Sequence, residues 1–446
     1  MKAKLIQIHW HETKPIYSID FETGPKSRLA TAGGDTNVRI WKLVAESGKP
    51  PEVEFLSSLS RHSAAVNVVR FCPTEEILAS AGDDGSVILW KPTEDKPCAG
   101  NAFVDNEDGA YEKEKWKVFS ILRGSLSDIY DLAWSPDGKK IITGSIDNTA
   151  RIWDVKEGKC LHVFADHNHY VQGVAWDPLG QYIVTQSSDR SVHIHSYRTK
   201  GNGQLVTTSI NKNLKLREPK TLDDPSESAP SPYPPSAKPP KSSYIYHSEM
   251  LKTFFRRLSF TPDGTLLLTP AGIYHKLNGN SSETETEVLN TTYVFTRAGL
   301  SRPPVLHLPG HKRATLAIRC SPVVYQLVEN ESQTSPVVDL PYRIVYAVAS
   351  QDSVLVYDTQ HQYPIAMVSN LHYATLTDIA WSSDGNTLMM ASEDGFCSMI
   401  NFEPHELGEP YQGESLQQII EVCLYSTIFP AAPPLTILLL HPSKIS

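Results

Sequence analysis

The stretch GGDTNVRIW, Gly33 to Trp41, returns as AGDDGSVILW ending at Trp90 and as GSIDNTARIW ending at Trp153. In each copy an Asp stands six residues before a Trp: Asp35 and Trp41, Asp84 and Trp90, Asp147 and Trp153. A repeat decides architecture ahead of any single motif, because each copy is one supersecondary unit that buries its apolar face only against its neighbours. Here the copy is a tight polar turn feeding a strand of alternating apolar residues, so the unit is a small β-sheet.

Outward from the turn, each unit reads as an apolar strand, a Pro-Asp-Gly type turn, a second strand, the Asp turn and a third strand. The second unit has His62, AAVNVVRF, the turn CPTEE, ILASAG, Asp83-Asp84-Gly85 and SVILW; the third reads DIYDLAWSPDGKKIITGSIDNTARIWD. The fourth, HYVQGVAWDPLGQYIVTQSSDRSVHIHSY, has His195 in the Trp slot, and a last one, TLTDIAWSSDGNTLMMASEDGFCSMINF, has Asp394 in the turn and Ile400 in that slot. Two units between these are degenerate: RRLSFTPDGTLLLTPAG with NTTYVFTR, and RATLAIRCSP with LPYRIVYAVASQDSVLVYD, where Tyr357 replaces the Trp. Seven units predict an all-β, seven-bladed propeller, within the usual 4–8 blades. A strand around Leu5 to His9 is expected to complete the last blade and remove the open edges.

These spacings resemble WD40 repeats over residues 1–403, leaving 404–446 as a short irregular C-terminal tail. In that family a His, a Ser or Thr, the turn Asp and the Trp form a buried hydrogen-bonded set. The resemblance assigns these places to His62, Ser80, Asp84 and Trp90, and again to His11, Thr31, Asp35 and Trp41. The third blade has Thr143, Asp147 and Trp153 with Ser125 near the His place; the fourth has His167, Thr185 and Asp189 without the Trp. Buried polar groups are tolerated when each is paired, so these residues read as structural and not catalytic.

Net charge is −9 and hydrophobic content 40%, which supports a packed core and argues against a general nucleic-acid binder. The six cysteines (Cys72, Cys98, Cys160, Cys320, Cys397, Cys423) include no C-x-x-C pair, which fits reduced thiols better than a zinc site or a disulfide framework. The start MKAKLIQIHWHE lacks an apolar signal region, and no run approaches the roughly 20 apolar residues of a membrane span. The expectation is a soluble intracellular protein without membrane contact.

Insertions interrupt the repeat at about 91–117 and 198–250. The first contains VDNEDGAYEKEKWK, whose alternating charges suit a solvated loop; the second contains EPKTLDDPSESAPSPYPPSAKPPKSS, too rich in Pro, Ser and charge to pack a core and so expected to be disordered. HKLNGNSSETETEVLN, inside the fifth blade, reads as a further exposed loop.

DHNHY (Asp166 to Tyr170) and HIH (His193 to His195) are rich enough in ligand types to raise a metal site. His193 and His195 share a strand face, but no third ligand is visible nearby, so neither metal nor cofactor is expected. No phosphate-binding loop or nucleophile elbow occurs, and nothing supports an enzyme.

Longer strings carry a closer resemblance: IHWHETKPIYSIDF, HSAAVNVVRF, HYVQGVAWDPLGQYI, FFRRLSFTPDGTLLLTPAG, LPYRIVYAVAS and LHYATLTDIAWSSDG. They resemble the family of middle, WD40 subunits of chromatin assembly factor 1; the related histone-regulator A propeller is a weaker match. The resemblance implies a nuclear, non-enzymatic scaffold that helps deposit histones H3–H4 on newly replicated DNA. It implies the large and small subunits of that factor and histones H3–H4 as partners, with DNA reached only indirectly. A mildly acidic chain suits a basic partner. Family members usually carry a basic tail that contacts the anti-silencing histone chaperone; the stretch from Tyr411 to Ser446 has no such motif, which puts that partner in doubt. The alternative is a substrate receptor of a cullin-type ubiquitin ligase, which commonly carries Trp-Asp-x-Arg; Trp153-Asp154-Val155-Lys156 lacks the Arg. Surface candidates for partner contact are Arg256 and Arg257, beside Phe254 and Phe255, and Tyr170 and Gln172.

Overall fold

Seven four-stranded antiparallel sheets stand in a ring. Their innermost strands are Ile16–Phe21, Val66–Phe71, Ile129–Trp134, Val171–Trp176, Ser259–Phe260, Thr315–Tyr325 and Leu376–Trp381. This computed structural model describes residues 1–44, 52–94, 112–124, 127–201, 205–213, 215–217, 242–277, 286–328 and 336–413. Ser125 and the Pro-rich centre of the second insertion lie outside the described residues.

The core is divided into seven seams, each between two adjacent blades. Val68, Leu89 and Leu122 of blade 2 meet Ile129, Ile141 and Trp153 of blade 3, and Leu266 and Val294 of blade 5 meet Ile344 and Tyr357 of blade 6. Because each sheet is covered on both faces, inner strands such as Val66–Phe71 and Val171–Trp176 are buried at every position. Exposure returns toward the rim, as in Glu52–Ser60.

The chain's first strand closes the ring, pairing antiparallel with Cys397–Asn401. It is Lys2–Ile6 and not Leu5 to His9. Trp10 and His11 are already buried in blade 1, and Trp10 Nε1 donates to Ile6 O at 3.2 Å, so the chain has to turn before them. The N-terminal amine also pairs with Glu406, and Lys2 with Glu403 at 2.8 Å.

The insertions carry more order than their composition announced. Each blade needs a fourth, outer strand, and blade 2 takes Lys115–Leu122 from the end of its insertion. Blade 4 takes Leu205–Asn213, and a small two-stranded sheet pairs Lys215–Arg217 with Ser242–Tyr244. Ile245 and Tyr246 then enter the seam of blades 4 and 5. The described ends of the third insertion, 275–277 and 286–290, continue a long hairpin, Leu266–Leu277 against Thr286–Thr296, where a loop was expected. Residues 404–413 stay docked on the ring: Leu407 is buried, Pro410 bridges to Tyr325, and Tyr411 packs on Tyr342.

Candidate functional site

In blade 2, His62 Nδ1 is 2.8 Å from Asp84 and Nε2 is 2.7 Å from Ser80 Oγ, which also accepts from Trp90 Nε1 at 2.8 Å. Partial burial works against the charge, yet the His62 contact holds the Asp84 carboxyl well below its usual range. Blade 1 repeats the set: His11 to Asp35 at 2.7 Å, His11 to Thr31 at 2.8 Å and Trp41 to Thr31 at 2.9 Å. Blade 3 keeps Trp153 on Thr143 at 2.9 Å, while Asp147 pairs with Arg151 at 2.7 Å. In blade 4, His167 joins Asp189 (3.0 Å) and Thr185 (2.8 Å), and strand register puts His195 opposite Ile183, the counterpart of Trp41 opposite Leu29.

Blade 7 holds a set that the repeat pattern alone had not singled out: His372 to Asp394 at 3.0 Å and to Ser398 at 2.6 Å. The signal is present in the spacing, since His372 precedes Asp394 by 22 residues, as His62 precedes Asp84 and His167 precedes Asp189. In blade 6, Tyr357 reaches His311 Nε2 at 3.2 Å.

Arg256 and Arg257 are not surface residues; both are fully buried. Blade 5 starts late, and this dipeptide takes the missing length of its inner strand. In six blades the inner strand carries a register shift near its start, and a bulge of this kind re-aims the backbone. Four of the six residues within those shifts, Tyr17, Asn67, Gln172 and Leu316, point carbonyls at the dipeptide. Arg256 N donates to Gln172 O (3.0 Å), Arg257 N to Leu316 O (2.7 Å), and Arg257 Nη2 to Tyr17 O (3.1 Å) and Asn67 O (2.8 Å). Arg257 Nη1 meets Asp378 at 3.0 Å and Asp131 at 3.5 Å, and Arg70 donates to the same Asp378 at 2.8 Å. Burial opposes ionisation of Asp378, but Arg257, Arg70 and Arg319 hold its carboxyl well below the usual range. Burial draws Arg257 down to about 10, which leaves it charged at neutral pH. The axis is therefore plugged by an ionic hub of three guanidiniums (Arg70, Arg257, Arg319) and three carboxylates (Asp20, Asp131, Asp378).

The two most distinctive strings meet beside this hub. Gly173 lies against the Arg256 carbonyl, where a Cβ would stand 1.8 Å from that oxygen. Gln172 is buried and spends its amide on Thr253 O at 2.7 Å, so of the four surface candidates only Tyr170 is exposed. Asp177 is clasped by Arg297 through two 2.8 Å bonds, tying blade 4 to blade 5.

Over the hub lies an aromatic mouth. Tyr130 packs on Tyr170 (6.4 Å), Phe254 (6.2 Å) and Phe255 (6.2 Å), and Tyr17 on Phe254 (6.3 Å) and Phe255 (6.1 Å). Phe254 is 48% and Tyr170 40% exposed. Carboxylates stand near: burial, Asp128 and Asp83 push the Tyr130 hydroxyl up to about 12, and burial, Glu393 and Asp83 raise Tyr17. An aromatic surface with acidic neighbours attracts cationic side chains.

The HIH pair has a third neighbour after all. One ligand atom from each of Asp166, His193 and His195 lies within 4.8 Å of the others. Asp166 follows the outer strand of blade 3, so only the packing of blade 3 on blade 4 brings it to the pair. Burial draws His193 down to about 3 and His195 to about 4, so both imidazoles are neutral at pH 7.

Residues 1–407 match the CAF1B/HIR1 beta-propeller domain family. The chain is 46% identical to the middle subunit of chromatin assembly factor 1 from Mus musculus, covering 94% of this chain and 70% of that protein. It is 43% identical to the corresponding subunit from Schizosaccharomyces pombe, over 92% of this chain and 89% of that one. Protein hir1 of Emericella nidulans is 27% identical over 88% of this chain and 35% of its own length, the weaker match that the distinctive strings foretold. On the family match and these identities, the chain belongs to the β-propeller family of chromatin assembly factor 1 middle subunits.

Proposed function

We propose that the chain is the propeller scaffold of a chromatin assembly factor 1 complex, a non-enzymatic histone chaperone component that works in replication-coupled nucleosome assembly in the nucleus. The observation that carries this reading is the 46% identity to the mouse middle subunit along 94% of the chain. Its partners are the factor's large and small subunits and histones H3–H4, and it reaches DNA only through them. The physical chemistry agrees. The buried charges at the centre are paired with one another in the ionic hub. The exposed Tyr170 and Phe254, with Asp83, Asp128 and Glu393 nearby, suit a Lys- and Arg-rich segment such as histones provide.

Co-expression with the large and small subunits, followed by size-exclusion chromatography with and without H3–H4, tests the proposal. A stoichiometric complex that loads H3–H4 is expected. Failure to join the large subunit, with recovery of a cullin adaptor instead, overturns it in favour of a ligase receptor.

A further inference from the structure

We propose that Asp166, His193 and His195 form a binding site for one divalent cation of the zinc type, placed at the seam of blades 3 and 4. Three observations carry it. The ligand atoms of the three side chains lie within 4.8 Å of one another. His193 and His195 are each only 3% exposed, yet His193 Nδ1 and His195 Nε2 are buried nitrogens with no hydrogen-bond partner. Buried imidazole nitrogens are normally satisfied, so two orphans on neighbouring rings call for a missing partner. Finally, the donor set is two imidazoles and one carboxylate, which zinc-type ions take with a further position left for water.

The rings are held for this purpose by their neighbours. His193 stacks on His167 at 3.8 Å, with Ser191 Oγ 3.1 Å from its Nε2, and His195 packs on Phe164 at 4.5 Å. Asp166 is the adjustable member: it is exposed and its charge is now met by Lys212 at 3.4 Å. Ligands at about 2.0–2.2 Å from a tetrahedral ion stand about 3.3–3.6 Å apart, so the set closes by about an ångström on binding. That movement swaps Lys212 for the metal. In blade 4 the usual Trp is absent and His195 holds its slot, so the ion would fasten a seam that lacks the ordinary indole.

Cobalt(II) titration of the full chain, purified in chelator and then freed of it, tests the site. One equivalent is expected to bind with the visible d–d bands of a low-coordinate N/O site, and zinc is expected to displace it. Asp166→Asn should weaken binding about tenfold or more with an unchanged circular dichroism spectrum, a loss at least as large as outer-shell changes cause. His195→Gln should abolish the bands. A thiolate-to-cobalt band would place the ion on a cysteine and overturn the assignment. So would binding that is absent at micromolar metal, or that Asp166→Asn leaves unaltered.

Discussion

The Cα of Gly173 faces the carbonyl oxygen of Arg256 so closely that a Cβ would stand 1.8 Å from that oxygen. The contact lets Arg256 N bond Gln172 O at 3.0 Å and brings Arg257 onto the propeller axis. Gly173→Ala should therefore destabilise the chain by about 1–3 kcal/mol or more through forced separation of blades 4 and 5. Gly201, which has nothing within 4 Å of a built Cβ, is the control, and Gly201→Ala should leave the urea midpoint unchanged. Equal midpoints for both variants would refute the seam.

Arg257→Met keeps bulk and removes the charge facing Asp378. Breaking a buried ion pair from one side costs about 3–5 kcal/mol. Denaturant unfolding should show a loss of that order, and a loss below about 1 kcal/mol would mean that Arg70 and Arg319 neutralise the hub alone.

Asp84→Ala leaves His62 Nδ1 and the turn amides without their acceptor. A loss of about 1–3 kcal/mol is expected in the same assay. Asp147→Ala, in the blade whose Asp pairs with Arg151, should cost less, because an ion pair of that partial exposure contributes little.

Acid should weaken the fold through buried histidines. Burial draws His311 down to about 4, whereas an unfolded imidazole protonates near 6.5. Between those values the unfolded state holds more protons. Stability is then complete above about 6.5 and falls as the pH drops toward about 4, by up to ~1.4 kcal/mol per pH unit for one group. His311→Gln should flatten the stability profile between pH 6.5 and 4, and an unchanged slope would show that His311 titrates normally in the fold.

Tyr170→Ala with Phe254→Ala should lower affinity for H3–H4 about tenfold while changing stability by less than about 1 kcal/mol, since both side chains are substantially exposed. Fluorescence titration of the reconstituted complex reads this directly. Unchanged affinity would move the histone contact away from the aromatic mouth.

The blade networks were legible because their parts sit at short, repeated spacings. His62, Ser80, Asp84 and Trp90 fall within one unit, and the 22-residue step from His to Asp even marks His372, which needed only to be counted. The outer strands were not legible, since Lys115–Leu122 and Leu205–Asn213 border segments whose composition is that of loops. Arg256 and Arg257 were misplaced for a related reason. Arginine is ordinarily a surface residue, and nothing local announces the acceptors that bury it. Asp166 was named within DHNHY but not joined to the His pair for the same reason, being 27 residues from His193 in sequence and brought near it only in the fold.

By itself, then, the sequence determined the ring, the number of its blades and the family, because a turn and the strand that follows it are local and recur. Only the tertiary structure decided what fills the axis and which residues remain outside. Arg257 is buried because it meets Asp378, Asn67 and Tyr17, which lie 121, 190 and 240 residues away. Closing the ring brings these partners to one point, and the cost of burying a guanidinium is offset only there.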